Sequence, residues 1–326
     1  MQNSIRFFSE MEKHYNFQKK RVLVTGASGF IGSHLCRKLN KLNAEVHGVS
    51  RQDPKNLDDF IQWWQGDVSD SRFIDELIKK LRPQLIIHLA SYVVGLRDLS
   101  AVRPTLSSNL LSSINILISA TDVGCERIIL VGSQEEPDKD KTHVIPTSPY
   151  AAAKWSGSAY ARMFHALYKT PVTIARLFMV YGPGQRDVNK LIPYVTLSLL
   201  KGQAPELSSG QRLVDWIYVT DVVDGLLKIA QNQNSDGYTF DLGSGALVSI
   251  REIVHQLVRI INPDIKPLFG YIPDRPLEQV IVASIKDTYN AIGWKPVTPI
   301  DKGLDITVNW FKEQLYNTDE PDIPKT

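Results

Sequence analysis

The chain has 326 residues, enough for one large α/β domain or two smaller lobes, and its 43% hydrophobic and 22% charged residues are ordinary for a globular protein. A net charge of +2 gives no case for a nucleic-acid or membrane partner, and no apolar run is long enough to span a bilayer. The chain has two cysteines, and they form no CxxC pattern, which argues against a disulfide scaffold or zinc site and favours a reducing, cytoplasmic location. Its seven histidines lack metal-ligand spacing, which also argues against a metal site.

The first structural signal is a strand followed by a glycine-rich turn and a helix. Arg21-Val22-Leu23-Val24-Thr25 is a short β-rich run, and a glycine turn at residues 26–32 follows at once, before leucines at helical spacing. In that context the glycines allow a tight turn, a close approach of the backbone to a pyrophosphate, and close packing of the helix on the strand. The anion would meet the N–H groups at the helix start. A glycine-rich turn without a ligand is the alternative. The turn predicts a dinucleotide site formed by Gly26, Ser28, Gly29, Phe30, Ile31 and Gly32.

The end of the second predicted strand bears on the choice of cofactor. This strand, Glu45-Val46-His47-Gly48-Val49, leads into Ser50-Arg51 rather than into the acidic residue typical of an NAD site. A guanidinium suits a 2′-phosphate because it presents several donors to phosphate oxygens. Asp53 lies nearby in the sequence and could serve a ribose hydroxyl. Ser50 and Arg51 therefore favour NADP(H), with NAD(H) as the alternative.

Further strands and helices alternate up to about residue 180. A loop containing Trp63 and Trp64 precedes a helix that runs to about Leu81, and later strands are predicted at residues 85–90, 127–131 and 172–176. His88, in the first of these, is predicted to be a satisfied strand residue rather than a ligand. The alternation predicts an α/β fold with a doubly wound parallel Rossmann sheet.

The same pattern predicts how the chain is divided. Residues 1–20 are predicted as a helical extension, 21–180 as the NAD(P)-binding Rossmann domain, and 181–326 mainly as a smaller substrate-binding lobe with a frayed tail. In the lobe, Ser249 begins a capping-box helix that runs to about Ile261, and a last helix covers about residues 301–315. Ligands of doubly wound sheets bind outside the carboxyl ends of the strands, so residues that follow those ends should meet there. They are the glycine turn, Ala90-Ser91, Ser133 and Tyr150.

The stretch from Ser148 to Lys154 carries candidate chemistry. Ser148 is a favourable N-cap and Pro149 suits the first helical position, so the alanines that follow should continue a helix. Tyr150 and Lys154 then lie one turn apart on one face. A phenol beside an ammonium can act as an acid/base pair, because the positive charge lowers the pKa of the phenol toward neutrality. An ordinary amphipathic helix start that carries Tyr and Lys is the alternative.

Seven motifs follow one another over about residues 20–315 in the order in which a known family has them. They are Thr25-Gly26 to Gly32, Gly66-Asp67-Val68, His88-Leu89-Ala90, Ser133 with Tyr150 and Lys154, Tyr181-Gly182-Pro183, Asp215 to Val223, and Ile292-Gly293-Trp294-Lys295-Pro296. As a set they resemble the extended short-chain dehydrogenase/reductase family, in particular its enzymes that remodel nucleotide sugars. The set is highly specific for the family and weakly specific for the reaction.

The resemblance implies roles for individual residues. Ser133, Tyr150 and Lys154 form the catalytic triad. Tyr150 exchanges a proton with a sugar hydroxyl or ketone, Lys154 holds the nicotinamide ribose and lowers the pKa of Tyr150, and Ser133 orients the reacting oxygen. The substrate implied is a nucleotide sugar. Further cofactor contacts are implied for Asp67, Val68, Leu89 and Ala90.

The residues that would bind the substrate phosphates depart from the family's pattern. Met179 stands where many relatives have an asparagine, and Val214 stands where many have an arginine. Arg212 is a candidate replacement for that arginine, and Arg275 matches a second family arginine that clamps the diphosphate. For each of these two arginines, a solvated loop charge is the alternative.

Three reactions share the triad: ketone reduction, 4-epimerisation and 4,6-dehydration. Gly132-Ser133-Gln134-Glu135-Glu136 resembles a segment of 4-keto-6-deoxy sugar nucleotide reductases, although Pro137-Asp138 replaces their usual Tyr-Gly. Glu135 occupies the position of the dehydratases' catalytic glutamate and is a candidate substrate contact, while Gln134 replaces an aspartate found in one dehydratase group. The preferred prediction is NADPH-dependent reduction, which agrees with Ser50-Arg51. An epimerase or dehydratase that holds NAD tightly is the alternative, and a non-catalytic NADP-binding regulator is a minor one.

The resemblance also implies a homodimer. Family members commonly pair two helices into a four-helix bundle, and here these are the helices predicted at residues 106–120 and 150–168. Leu111 and Ile118 form a second apolar face on the first of them. That helix is therefore either deeply buried or partly an oligomer surface.

Overall fold

The structure is a computed structural model that describes residues 16–52, 58–93, 95, 97–137 and 145–316. The extension predicted at residues 1–20 is described only from residue 16 on, and Asp53 and the tail predicted to fray from residue 318 lie outside the described residues. Just before the first strand, the side chain of Phe17 is 2% exposed. Its burial anchors the start of the described chain to the body of the fold.

A seven-stranded sheet is the centre of the fold. The strands of the described residues are β1 (Arg21–Thr25), β2 (Glu45–Ser50), β3 (Gln62–Gln65), β4 (Leu85–His88), β5 (Arg127–Ser133), β6 (Val172–Leu177), β7 (Met179–Tyr181), β8 (Glu206–Leu207), β9 (Leu213–Tyr218), β10 (Thr239–Leu242), β11 (Leu247–Ser249) and β12 (Leu268–Phe269). The sheet has the order β10-β6-β5-β4-β1-β2-β3, and its neighbours from β3 to β5 pair in parallel. The winding reverses between β1 and β4, which is the point where doubly wound sheets bind ligands. The predicted fold class is confirmed.

Helices connect the strands. Those of the described residues are α1 (Phe30–Lys41), α2 (Ser71–Leu81), α3 (Val102–Thr105), α4 (Ser112–Asp122), α5 (Pro149–Tyr168), α6 (Leu191–Leu200), α7 (Val219–Gln231), α8 (Ile250–Ile261), α9 (Ile285–Ile292) and α10 (Ile300–Tyr316). A π-helix, Leu106–Leu111, joins α3 to α4, so the helix predicted at residues 106–120 extends over 102–122 with a wider turn inside it. No helix of the described residues is long and apolar enough to cross a membrane.

The chain divides into two compact units. The first comprises the residues up to Arg176, together with Val223–Phe240 and Asp287–Trp294. The second comprises Leu177–Val222, Asp241–Lys286 and the residues from Lys295 on. The first unit buries residues of the central strands, such as Leu23 and Ile86, against its helices, and the second has its own core around Trp216 and Leu257. The assignment of a cofactor-binding domain to residues 21–180 and of a substrate-binding lobe to 181–326 stays a prediction.

Serine caps set two of the predicted helix starts. At α5, the Ser148 hydroxyl accepts the N–H of Ala151 at 3.0 Å. At α8, the Ser249 hydroxyl accepts the N–H of Glu252 at 3.1 Å, and the Glu252 carboxylate accepts the N–H of Ser249 at 2.9 Å. Both caps satisfy donors that a helix start leaves unpaired, as the sequence predicts.

One element was predicted wrongly. The loop expected around Trp63 and Trp64 is the edge strand β3, paired in parallel with β2. The Trp64 indole N–H donates to His47 Nδ1 at 3.3 Å, and a side chain at Gly48 would collide with the ring of Trp63. The two tryptophans are therefore held in extended conformation by their neighbours on β2.

Candidate active site

The glycine turn between β1 and α1 is built for close backbone contacts. Gly26 has a φ of 70°, and a Cβ placed there would lie 2.8 Å from the backbone nitrogen of Ala90. A Cβ on Gly32 would overlap the carbonyl oxygen of Gly26, so only glycine lets α1 sit this close to the turn. Gly29 is the exposed N-cap of α1. The roles of tight turn and close helix packing predicted for Gly26 and Gly32 are thus confirmed.

The chemical groups exposed at the glycine turn suit the binding of a dinucleotide. Ser28 and Gly29 are exposed, and Phe30 and Ile31 open α1, where the first backbone N–H groups have no partners within the helix. The first turn of α1 contains no acidic side chain that would repel an anion. These donors and the positive end of the helix suit a pyrophosphate.

A buried hydrogen-bond chain ties the glycine turn to β4. The Thr25 hydroxyl accepts the N–H of Ala90 at 3.2 Å and lies 2.7 Å from His88 Nδ1, within hydrogen-bond distance. His88 Nε2 lies 3.1 Å from the hydroxyl of Ser112. Burial lowers the pKa of His88 to about 3, with a smaller contribution from the charge of Lys154. His88 is a neutral structural residue, as predicted, and Thr25 accepts the N–H groups of Leu89 and Ala90 and so holds them next to the turn.

The ends of β2 and β3 carry the other predicted cofactor residues. Ser50 is buried at the end of β2, and Arg51 is exposed directly after it. After β3, the Asp67 carboxylate accepts the backbone N–H of Ser69 at 2.8 Å and Val68 is buried. The Asn115 amide donates to the carbonyl oxygen of Val68 at 3.2 Å, so the α4 helix fixes this loop.

The predicted triad comes together in the first unit. The side chains of Ser133 and Ser91 are near enough to the phenol of Tyr150 to lower its pKa. The Ser133 oxygen accepts the N–H of Glu135 at 3.1 Å, which leaves the hydroxyl proton of Ser133 free to be donated. Lys154 Nζ lies 5.9 Å from the centre of the Tyr150 ring. The structure therefore brings Ser133, Tyr150 and Lys154 together beside the loop that follows β4.

The electrostatics of the triad correct one expectation. Burial raises the pKa of Tyr150 above its ordinary value, the charges of Glu135 and Glu136 raise it further, and the lowering effects of Ser133 and Ser91 only partly offset these shifts. The expectation that Lys154 lowers the phenol pKa toward neutrality is wrong, because desolvation outweighs it. Burial also lowers the pKa of Lys154 to about 8, against the opposing effect of Glu136. The protein's own residues thus hold Tyr150 as a neutral phenol.

Two acidic residues follow Ser133 and have different surroundings. Glu135 is half-buried and accepts a hydrogen bond from the Ser148 hydroxyl at 3.3 Å. Its charge raises the pKa of Tyr150. Glu136 is 5% exposed, and its Oε1 accepts the N–H of Ser133 at 2.9 Å. The sequence predicts a role for Glu135 and none for Glu136.

Asn109 is a second residue for which the sequence predicts no role. It is buried in the π-helix Leu106–Leu111, and its side-chain oxygen accepts the N–H of Tyr92 at 2.6 Å and the hydroxyl of Ser91 at 3.1 Å. Its amide donates to the carbonyl oxygen of Tyr92 at 3.2 Å. These bonds hold the loop whose Ser91 lowers the pKa of Tyr150. Serines surround Asn109 in this stretch, so the sequence carries no signal that separates it from ordinary polar residues of a helix.

The predicted substrate arginines belong to the second unit. Arg212 forms an ion pair with Glu278 at 2.7 Å. Arg275 is exposed in an irregular segment, and its neighbour Asp274 accepts the N–H of Ser209 at 3.1 Å. A phosphate-binding role for either arginine stays a prediction. Within the described residues, His, Cys, Asp and Glu side chains form no group that could hold a metal ion.

Known proteins similar to this chain share its length and its fold. The model of the NAD dependent epimerase/dehydratase family matches residues 22–243. The chain is 26% identical over 323 residues to human dTDP-D-glucose 4,6-dehydratase, covering 91% of each chain. It is 29% identical over 309 residues to a putative UDP-glucose 4-epimerase of Methanocaldococcus jannaschii, covering 89% of this chain and 98% of the relative.

A solved structure agrees with these matches. The structure of MoeE5 in complex with UDP-glucuronic acid and NAD superposes with a TM-score of 0.79 at 26% identity, covering 90% of this chain and 99% of MoeE5. The family match, the full-length relatives and the shared fold agree with the motifs that first pointed to the family. The chain belongs to the NAD-dependent epimerase/dehydratase family and is an enzyme of the extended short-chain dehydrogenase/reductase type.

Proposed function

We propose that this enzyme inverts the hydroxyl at carbon 4 of a nucleotide sugar, with an NAD that is reduced and reoxidised within each turnover. The observation that carries the proposal is the buried cluster of Ser133, Tyr150 and Lys154, which offers one acid/base group, one hydrogen-bond donor and one cation. The names of both relatives given above include a reaction at carbon 4 of a nucleotide sugar. Epimerisation needs no acid or base beyond the cluster.

The chain's residues would move one proton and hold one oxygen. Tyr150, once it has lost its own proton, takes the proton of the sugar hydroxyl in the oxidation as a phenolate, and it returns that proton to the ketone in the reduction. Its raised pKa favours the second step, since a neutral phenol is the donor. Ser133 donates its hydroxyl proton to the reacting oxygen, and the ammonium of Lys154 stabilises the negative charge that develops there. NAD, when bound, accepts the hydride of the ring carbon and gives it back.

The cofactor site proposed here keeps the predicted residues and changes the preferred cofactor to NAD. A reaction that restores its cofactor in each turnover does not draw on a pool of NADPH. The exposed Arg51 leaves a contact to a 2′-phosphate open, so NADP remains an arm of the test below. The cofactor would lie against Gly26, Ser28, Gly29, Phe30, Ile31, Gly32, Ser50, Asp67, Val68, Leu89 and Ala90, with Tyr150 and Lys154 at its nicotinamide end.

A specific observation favours 4,6-dehydration as the second candidate. Elimination of water after oxidation needs a further acid/base group, and Glu135 provides a carboxylate that acts on the pKa of Tyr150 and accepts a hydrogen bond from Ser148. Its neighbour Gln134 cannot donate a proton as a carboxylic acid would. One such group rather than two makes dehydration the second choice.

The experiment incubates the purified enzyme with UDP- and dTDP-hexoses and, separately, with 4-keto-6-deoxy nucleotide sugars, each with NAD, NADP, NADH or NADPH. Products are followed by NMR and cofactor absorbance. A changed configuration at carbon 4 with no net change in cofactor supports the epimerase, and a 4-keto-6-deoxy product supports the dehydratase. Stoichiometric consumption of NADPH with a 4-keto sugar would replace both with the reductase predicted from Ser50-Arg51.

A further inference from the structure

Glu136 is a buried carboxylate next to the triad. Its Oε1 accepts the backbone N–H of Ser133 at 2.9 Å, and Ser158 on α5 is near enough to its side chain to lower the pKa of the carboxyl. A Cβ placed on Gly132 would lie 2.5 Å from Oε1, so the missing side chain at Gly132 provides the room that the carboxylate fills. A charge buried to this extent is costly unless hydrogen bonds and an opposite charge compensate it.

Lys154, on α5, supplies the opposite charge and contacts the same stretch of β5. Its Nζ donates to the carbonyl oxygen of Val131 at 2.8 Å, two residues before the N–H that Glu136 accepts. Ser158 follows Lys154 by one helical turn on α5, so both face this strand. Lys154 and Glu136 are each 5% exposed. The strand segment of Val131 and Ser133 is therefore held between an ammonium and a carboxylate that solvent does not screen.

The other ionisable groups around Lys154 do not replace Glu136. From β4, His88 is neutral, because burial lowers its pKa to about 3. On α5, Tyr150 is a neutral phenol. Burial raises the pKa of Glu136, while the N–H of Ser133, the side chain of Ser158 and the charges of Lys154 and Arg176 lower it. The charge of Glu135 acts on Tyr150. Glu136 is the group whose charge opposes the loss of the proton from Lys154.

We propose that Glu136 is a positioning residue whose buried carboxylate fixes the backbone of Ser133 and keeps Lys154 in its ammonium form. The proposal deepens the proposed function and rests on it for the need for a charged Lys154. Glu136 contacts no reacting atom; it acts through Ser133 and Lys154. The geometry also explains the glycine at 132, since any side chain there would displace the carboxylate.

The pH dependence follows from the charges. Burial moves the pKa of Lys154 down to about 8, and Glu136 moves it up. The ammonium is therefore present below about pH 8 and is lost above it. Without the negative charge at position 136, only burial acts on the pKa of Lys154. This pKa therefore falls, and the ammonium is lost at a lower pH. A shift of about 1 pH unit or more is expected for loss of a close opposite charge in a buried site.

The test compares Glu136→Gln with the wild type. Glutamine keeps an oxygen that can accept the N–H of Ser133, so the variant removes the charge and preserves that bond. Competitive labelling with acetic anhydride between pH 6 and 11, read by mass spectrometry of the peptide that contains Lys154, reports the ionisation of this lysine without substrate. The alkaline limb of kcat is the second readout. Glu136→Ala is measured alongside, because it removes the charge without burying an amide.

Glu126→Gln is the matched control. It is the same exchange in the same unit, at an exposed carboxylate that pairs with Lys20 at 3.7 Å. The labelling midpoint of Lys154 and the alkaline limb of kcat are expected to move down in Glu136→Gln and Glu136→Ala, with KM little changed, and to stay in place in Glu126→Gln. An unchanged Lys154 midpoint in a folded Glu136 variant overturns the proposal. A shifted midpoint in an enzyme that turns over no nucleotide sugar supports the positioning role and contradicts the proposed function instead.

Discussion

The phenol of Tyr150 is the one proton carrier that the proposed reaction needs. It is buried, and its pKa is raised by desolvation, so it stays protonated and can donate to a ketone. In Tyr150→Phe the ring remains and the proton is lost. We expect kcat to fall by roughly 10²- to 10⁴-fold, the usual contribution of a general acid/base, while the affinity for NAD changes little. Steady-state kinetics and fluorescence titration with NAD measure the two effects.

Tyr160→Phe is the matched control for that variant, because Tyr160 is on the same helix and exposed. Its kcat is expected to equal that of the wild type. An active Tyr150→Phe enzyme would show that another group carries the proton, and Glu135 would then be the next candidate.

Two glycines of the turn are expected to have different roles, Gly32 in stability and Gly29 in cofactor binding. Gly32→Ala forces a methyl group onto the carbonyl oxygen of Gly26, and overpacking of this kind costs roughly 1–3 kcal/mol of stability. Gly29→Ala places its methyl group 3.1 Å from the same oxygen and otherwise toward open space. We therefore expect Gly32→Ala to lower the melting temperature markedly and Gly29→Ala to lower mainly the affinity for NAD. Calorimetry with and without NAD distinguishes them, and the reverse ranking would contradict the assigned roles.

At the scale of elements, the cap of α5 joins helix stability to the active site. The Ser148 hydroxyl accepts the N–H of Ala151 and contacts Glu135. Ser148→Ala is expected to cost about 1 kcal/mol, as the loss of a helix cap usually does, and to lower kcat as well, because Tyr150 is in the first turn of this helix. Urea unfolding and steady-state kinetics measure the two effects.

Ser249→Ala removes an equivalent cap from α8 in the second unit. It should cost a similar free energy of unfolding and leave kcat unchanged. A loss of activity of the same size in both variants would mean that general destabilisation, rather than the position of Tyr150, accounts for the effect.

Local signals explain which elements could be predicted. The caps at Ser148 and Ser249 act within one helical turn, so sequence alone places both helix starts and the neighbouring Tyr150. The strand that contains Trp63 depends on pairing with β2, a contact with residues 15 positions away that no local pattern encodes. The triad was therefore predictable, and its surroundings were not.

Burial explains why the sequence did not predict the role of Glu136 or the pKa of Tyr150. In the sequence Glu136 looks like a solvated charge after a strand, and only the fold shows that Gly132 leaves room for its carboxylate and that Ser158 lowers its pKa. The direction of the Tyr150 pKa was missed for the same reason. A neighbouring ammonium argues for a lowered value, and the loss of solvent, which sequence does not report, raises it.

At the scale of the whole molecule, the apolar surface of the first unit bears on assembly. Along residues 102–122, Val102, Leu106, Leu111 and Ile118 are each more than 40% exposed, and α5 adds Tyr160 at 40% and Leu167 at 66%. Contiguous apolar surface on two helices is what a helical dimer interface buries. We propose that a second copy of this chain covers it, as the resemblance to dimeric family members implies.

The oligomeric state tests that proposal. The wild type is expected to be a dimer in light scattering at micromolar concentration, and Ile118→Glu should shift it to monomer, because a charge at the centre of an apolar interface must be desolvated without a partner. Val297→Glu is the control, since Val297 is similarly exposed and lies in the second unit. A monomeric wild type contradicts the dimer outright. A dimer that Ile118→Glu leaves intact would place the interface on another surface.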